Sequence, residues 1–404
     1  MLSRREILAG ASVSLACMGL DANAQPAPTT EYRALRALGT PGPGLSYEGI
    51  VPGPTLRLKR GEELRVRLFN GLSEPTTIHW HGVRVPNAMD GVPALTQPPV
   101  LPDSSFDYRF RCPDAGTFWY HAQSFAQLDS GLYGILVVDE RDNISVDRDL
   151  NIILAAADNA QTGSSVLVNG SLRPDFEVIP GERLRLRLIN ASGNTGLNLR
   201  IDRHAPWVMA VDGQPAEPFV ARDGRLGLAP GSRLDLFVDA TLDVGATAPI
   251  LAGSRDDFAI ARLVYTDRIH PLSKPRSPPA PLPSNSLPVR IDLKTALRAE
   301  WPIPASLPGH VSPDPLFTVT RGRGVTLAVS NKSGRPHVVH LHGHHFRLLD
   351  RLDDGWKPFW LDTLVIGEQV ERLAFVADNP GKWLIEARPL DTRMAPTAVW
   401  FAVN

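Results

Sequence analysis

Cysteine is almost missing from this chain: its 404 residues include two, Cys17 and Cys112. A scaffold stapled by several disulfides is therefore excluded. Surplus charge is missing too. Lys plus Arg number 42 and Asp plus Glu 43, a net charge of −1, so nothing electrostatic favours nucleic acid or an anionic membrane as partner. A small ligand or another protein is left. Long apolar runs are also absent, and without the ~18 consecutive residues of a spanning helix no stable membrane span is expected. Nor does any segment sustain a helical period. What is present is short alternating segments punctuated by 33 glycines and 37 prolines, the pattern of an all-β chain. The length suits two or three domains, each large enough to bury a core.

The first residues, MLSRREILAGASVSLACMGLDANAQ, have a charged start, a short apolar run from Ile7 to Leu20 and the A-x-A triplet Ala22-Asn23-Ala24. They read as an export signal over residues 1–24. Arg4-Arg5 after Ser3 resembles the twin-arginine signal, so export by that route to the periplasm is expected. Ser14 is a poor match for a lipoprotein reading of Cys17. With the signal removed, Cys112 has no partner for an intrachain disulfide.

Three segments share one pattern: LRLKRGEELRVRLFNGLSEPTTIHWHG (56–82), FEVIPGERLRLRLINASGNTGLNLRID (176–202) and FTVTRGRGVTLAVSNKSGRPHVVHLHG (317–343). In each, a glycine (Gly61, Gly181, Gly322) lies nine residues before an asparagine (Asn70, Asn190, Asn331), with alternating apolar residues between. This reads as turn, strand and turn, three times over. Nine and eleven residues beyond the asparagine stand His79 and His81 in the first copy and His340 and His342 in the third, but Leu199 and Ile201 in the middle one. The expectation is that the fold asks for apolar packing at these places and that the outer copies depart from it together to bind a metal. A second repeat ties FRCPDAGTFWYHAQ (110–123) to FVADNPGKWLIEAR (375–388). Five and seven residues after Gly116 come His121 and Gln123; after Gly381 come Glu386 and Arg388. Spaced i, i+2, each pair faces one side of its strand.

Boundaries fall near residue 143, after GILVVDE, and in the Pro-rich HPLSKPRSPPAPLPSNSLP (270–288), an extended linker. The expected organisation is three β-sandwich domains over 30–142, 146–268 and 289–404. The linker would carry the third domain round to the first, with their histidine-bearing faces opposed.

The strings HWHG (79–82), GTFWYH (116–121) with GLYGILVV (131–138), and HVVHLHGHHF (337–346) resemble a three-domain multicopper oxidase built of cupredoxin-like Greek-key sandwiches, over essentially the whole mature length. The resemblance implies copper as cofactor. In that family a type 1 copper, held by one Cys and two His, takes electrons from a substrate and passes them to a trinuclear cluster that reduces O2. It maps His79 and His340 onto the type 2 copper. One type 3 copper would take His81, His121 and position 388; the other would take His342 and positions 123 and 386. The chain departs from the family at its fourth motif, normally H-C-H. WLIEARPLDTRM (383–394) puts Glu386, Ala387 and Arg388 in those places and Thr392 where a later histidine belongs. The type 1 site thus keeps His337 alone and lacks the thiolate that blue copper chemistry needs. Cys112, in the first domain, reads as a small buried hydrophobe.

A guanidinium does not ligate a metal and repels one, so Arg388 is expected to substitute electrostatically for one copper. Glu386 either pairs with Arg388 as a space-filling salt bridge or offers a weak oxygen ligand. The expected metal ligands are His79, His81, His121, His340 and His342, and any catalytic part falls to Gln123, Glu386 and Arg388. His344 takes a supporting place, His204 is no ligand, and His270 and His310 read as surface loop residues. Two functions compete. The first is an exported copper-binding protein with a reduced histidine site and no type 1 copper, acting in copper binding or homeostasis or in redox chemistry with O2 or a small molecule. The second is a copper-free periplasmic scaffold, like the family relative associated with cell division. The five retained histidines favour the first. A conventional laccase is opposed by the missing thiolate, because a bulky donor would have no electron relay.

Overall fold

The sequence repeat becomes one local device used three times. Gly61, Gly181 and Gly322 sit at φ +85°, +89° and +85°, a left-handed turn that a Cβ would disfavour. Each opens a strand, Glu63–Asn70, Arg183–Asn190 and Gly324–Asn331. The terminal asparagine then ties down the turn that follows. Its Nδ2 donates to the carbonyl of Glu74 (2.9 Å), Thr195 (2.9 Å) or Arg335 (2.6 Å), and its Oδ1 accepts from the backbone N–H of Leu72, Ser192 or Ser333. A buried side-chain amide thereby satisfies backbone groups that the strand end leaves unpaired.

The computed structural model describes residues 32–404 apart from 43, 160–162, 254–256, 269–275, 305–311, 350–358, 391–393 and 395. The expected export signal, His270, His310 and Thr392 lie outside the described residues. From Arg33 to Asn404 the chain is one unit, built of six sheets that pack as three sandwiches. In the first, one sheet holds Leu45–Tyr47, Arg33–Gly39, Glu63–Asn70 and Ser105–Arg111, the other Gly53–Lys59, Tyr133–Asp139, Gly116–Ala122 and Ile78–His81. Parallel pairings of Arg33–Gly39 with Glu63–Asn70 and of Gly53–Lys59 with Tyr133–Asp139 sit among antiparallel ones. The middle sandwich has sheets of six and five strands and the third has four and five. Buried apolar side chains of the first and third sandwiches form one continuous cluster, whereas the middle sandwich has a core of its own. The histidine-bearing sandwiches are thus joined by the strongest non-directional force available to the fold.

Part of the Pro-rich segment is anchored. Asn285 accepts from Ala115 N–H and donates to Ala115 O, both at 2.8 Å, and donates to Gln214 Oε1 at 3.0 Å. Ser284 O accepts from Arg60 at 2.9 Å, and Leu282 is buried. Between Leu282 and Asn285 the linker is held against the first two sandwiches.

One expectation is overturned. Leu199 and Ile201 do not stand where His79 and His81 stand. The turn after Asn190 is one residue longer: the carbonyl it captures is five residues on, against four after Asn70 and Asn331. Leu199 and Ile201 point into the middle sandwich core and pair with Ala252 and Ile250. Their counterparts in the first sandwich are Ile78 and Trp80, core residues paired with Ala122 and Tyr120. The true equivalents of His79 and His81 are Arg200 and Asp202, on the outer face. A one-residue slip in a strand exchanges its two faces.

Candidate metal centre

Strand period and pairing put the histidines on one surface. In Ile78–His81, Ile78 and Trp80 enter the core, so His79 and His81 face the other way, and His121 sits directly across from His79 on the neighbouring strand. In His337–Leu341, Val339 and Leu341 enter the core, leaving His340 outward, with Glu386 across from it and His342 just beyond the strand end. The two outward faces meet. His79 Nε2 lies 3.2 Å from His340 Nε2, and the ring centroids of His81 and His340 lie 3.7 Å apart. All five rings are buried.

The hydrogen bonds assign each tautomer. His79 Nδ1 donates to Asp90 O at 3.0 Å, His340 Nδ1 to Asp362 O at 3.0 Å and His121 Nδ1 to Ala122 O at 2.8 Å. Carbonyls only accept, so in their neutral form these three rings carry bare lone pairs on Nε2. His81 is reversed. Its Nε2 donates to Thr363 Oγ1 at 3.2 Å, with Asp362 Oδ1 at 3.5 Å, and its Nδ1 lone pair faces His121 Nε2 at 3.4 Å. His342 Nδ1 is held by Asp90 Oδ2 at 3.0 Å, and its Nε2 is buried with no hydrogen-bond partner. Lone pairs therefore confront each other twice, at 3.2 and 3.4 Å. Leaving a buried acceptor unsatisfied costs ~1–3 kcal/mol, while two nitrogen donors on one tetrahedral ion lie about 3.3 Å apart. The donor set fits a metal that accepts imidazole nitrogen, copper foremost. Triads with all ligand atoms within 4.8 Å of one another are His79/His340/His342, His79/His81/His121 and His81/His340/Asp362.

Electrostatics keep most of these rings neutral. Burial drives His81 and His121 well below the usual imidazole range and His340 down to about 4. His342 is the exception: burial opposes its charge, but Asp90 and Glu386 lift it to about 10. Behind the rings stand two carboxylates that the sequence did not single out. Asp90 bridges His79 and His342. Asp362 supports His340 through its carbonyl, and its carboxylate lies within 3.5 Å of His81 and within 3.4 Å of His345. Burial works against the Asp362 charge, but Arg233 holds the carboxyl well below the usual range.

Arg233 itself is 0% exposed and donates from each of its three guanidinium nitrogens. Two hydrogen bonds go to Asp362 at 2.7 and 2.6 Å, and others to Gly231 O, Asp212 O and Thr117 O. It thus contacts all three sandwiches at once. The glycine of HWHG makes room for it: a Cβ on Gly82 would lie 2.0 Å from the Arg233 guanidinium. Asp90 and Asp362 come from connecting segments with no counterpart in the repeats, so spacing gave no signal for them.

At the fourth motif, Ala387 lies in the third sandwich core, and His337 Nδ1 donates to Arg335 O at 2.9 Å. Cys112 is buried in the first sandwich, where burial pushes its thiol up to about 12. Gln123 Nε2 donates to Glu386 Oε1 at 2.5 Å, and Glu386 Oε2 lies 3.7 Å from His342 Nε2. The expected salt bridge between Glu386 and Arg388 is not among the ion pairs of the described residues. Arg388 donates to Gly193 O and lies 3.8 Å over the Phe125 ring. His344 packs among Phe375, Trp383 and Phe401, and His204 bonds Tyr265 and Asp202 O.

Models of multicopper oxidase domains match residues 29–143, 144–246 and 283–403. The chain belongs to the multicopper oxidase family. Among similar members, multicopper oxidase MmcO of Mycobacterium tuberculosis is 28% identical over 84% of this chain and 79% of its own length. Copper resistance protein A of Escherichia coli is 26% identical over 57% of this chain and 48% of its own. The multi-copper oxidase of Pseudomonas thermotolerans superposes with a TM-score of 0.81 at 31% identity, covering 93% of this chain and 99% of that one. Copper is the cofactor of the family, and its cupredoxin-like sandwiches are those described above.

Proposed function

We propose that this chain is an exported copper protein whose centre binds copper through His79, His81, His121, His340 and His342, with no type 1 blue copper. It serves copper binding and homeostasis, or oxidoreductase chemistry in which O2 or a small molecule reacts at that copper. The observation that carries this reading is the confrontation of buried lone pairs at 3.2 and 3.4 Å. A copper-free scaffold has no use for such pairs and would bury apolar groups there at lower cost. Bound copper supplies one-electron chemistry. The protein's part is to fix the ring tautomers through Asp90, Asp362 and Thr363, to exclude bulk water, and to withhold the sulfur ligand by placing Ala387 where the family has cysteine. A resemblance to copper resistance protein A agrees with a role in copper handling, and the twin-arginine-like leader suits delivery to the periplasm.

The test is copper per chain by elemental analysis after one loading protocol, for the wild type and for the double variant His79→Ala/His340→Ala. Wild type retaining copper that the double variant loses, with no intense thiolate-to-copper absorption and no rapid phenol oxidation, is the expected result. Equal, near-zero copper in both proteins favours the scaffold.

A further inference from the structure

We propose that Glu386 is itself a metal ligand, making the third position of the centre a carboxylate–imidazole site for a divalent ion, chemically unlike the imidazole-only positions beside it. The proposal rests on the copper reading above and specifies one donor of that centre. The two docked sandwiches present matched sets of side chains. His121 faces His79 across paired strands, and Glu386 faces His340 in the same register. Each cross-strand residue then meets the second histidine of its own sandwich: His121 Nε2 is 3.4 Å from His81 Nδ1, and Glu386 Oε2 is 3.7 Å from His342 Nε2. With the 3.2 Å pair of His79 and His340, three donor pairs surround the centre at separations suited to sharing an ion.

The third pair is oriented for this. His342 Nδ1 is held by Asp90 Oδ2, so Nε2 turns toward Glu386 and has no hydrogen-bond partner. Glu386 Oε1 accepts from Gln123 Nε2, which fixes the direction of Oε2. Arg388, two residues along the same strand face, donates to Gly193 O and covers Phe125, leaving the carboxylate to the centre. Asp90 and Glu386 are 1% and 8% exposed, so two buried negative charges face the single positive charge that a protonated His342 can carry, and a divalent ion balances both. A mixed nitrogen and oxygen set suits Cu(II) or Zn(II).

Full-length mature protein is loaded with Cu(II), and separately with Zn(II), and bound metal is counted. Glu386→Gln is expected to lose one metal equivalent per chain in both cases, and His342→Ala to lose the same one. Glu386→His offers an imidazole at the same place; it should keep the equivalent and add a nitrogen coupling to the Cu(II) electron paramagnetic resonance spectrum. Equal metal in wild type and Glu386→Gln, or an unchanged spectrum in Glu386→His, overturns the assignment alone: Glu386 would then accept a hydrogen bond from a protonated His342 and nothing more. A wild type that takes up no copper overturns the copper reading and this assignment with it.

Discussion

At the scale of single residues, the centre depends on groups besides its five histidines. Arg233 neutralises Asp362 in a space with no water access, and Asp362 in turn orients His340 and His81. Removing one partner of a buried pair strands the other charge, at a cost of about 3–5 kcal/mol. Arg233→Met should therefore lower stability by that amount, read as a fall in the urea midpoint, and should weaken copper retention. Arg57→Met is the control. Its ion pairs with Asp139 and Asp149 lie at the surface, and its loss should change stability by no more than ~1 kcal/mol. The five histidines were legible in the sequence because repeat spacing marks side chains. Asp90 and Asp362 were not, because half of what each contributes is a backbone carbonyl, which every residue has.

At the scale of the strand, register decides which residues a repeat presents. The extra residue after Asn190 turns Leu199 and Ile201 inward and leaves Arg200 and Asp202 outside. Leu199→Ala should then cost about 2–5 kcal/mol, the range for emptying a packed core site. Arg200→Ala, whose pairs with Asp202 and Asp257 are partly exposed, should stay within ~1 kcal/mol. Chemical denaturation of both variants checks this. Comparable costs at the two positions would refute the register. Counting residues from the asparagine recovered the strand but misjudged its face, since a turn insertion leaves the alternation intact while shifting its phase.

At the scale of the whole molecule, like sequences acquire unlike surroundings. Strands Glu63–Asn70 and Arg183–Asn190 both alternate arginine with apolar residues. In the first sandwich Arg67 is exposed and pairs with Asp107 at the surface. In the middle one Arg185 and Arg187 are covered by the first sandwich, bonded to Glu140, Asp235, Asp149 and Thr117. Burial works against the Asp235 charge, but Arg185 and Arg187 hold its carboxyl below the usual range. A depressed carboxylate stabilises the fold above its unfolded value of ~3.9 and loses that contribution as pH falls through its lower folded value. Acid should accordingly weaken the junction of the first two sandwiches below about pH 4, and Asp235→Asn should shrink that pH dependence in urea titrations.

By itself the sequence determined the β class, the threefold repeat, the matched histidines of its outer copies and an alanine, not a cysteine, at position 387, because alternation, turn glycines and residue identity are local properties. The docking of the three sandwiches decided the rest: the opposed nitrogens of His79 and His340, the three-way contacts of Arg233, and the separation of Glu386 from Arg388. These contacts join residues more than a hundred positions apart in the chain, and their geometry comes from packing whole surfaces together, which no local pattern encodes.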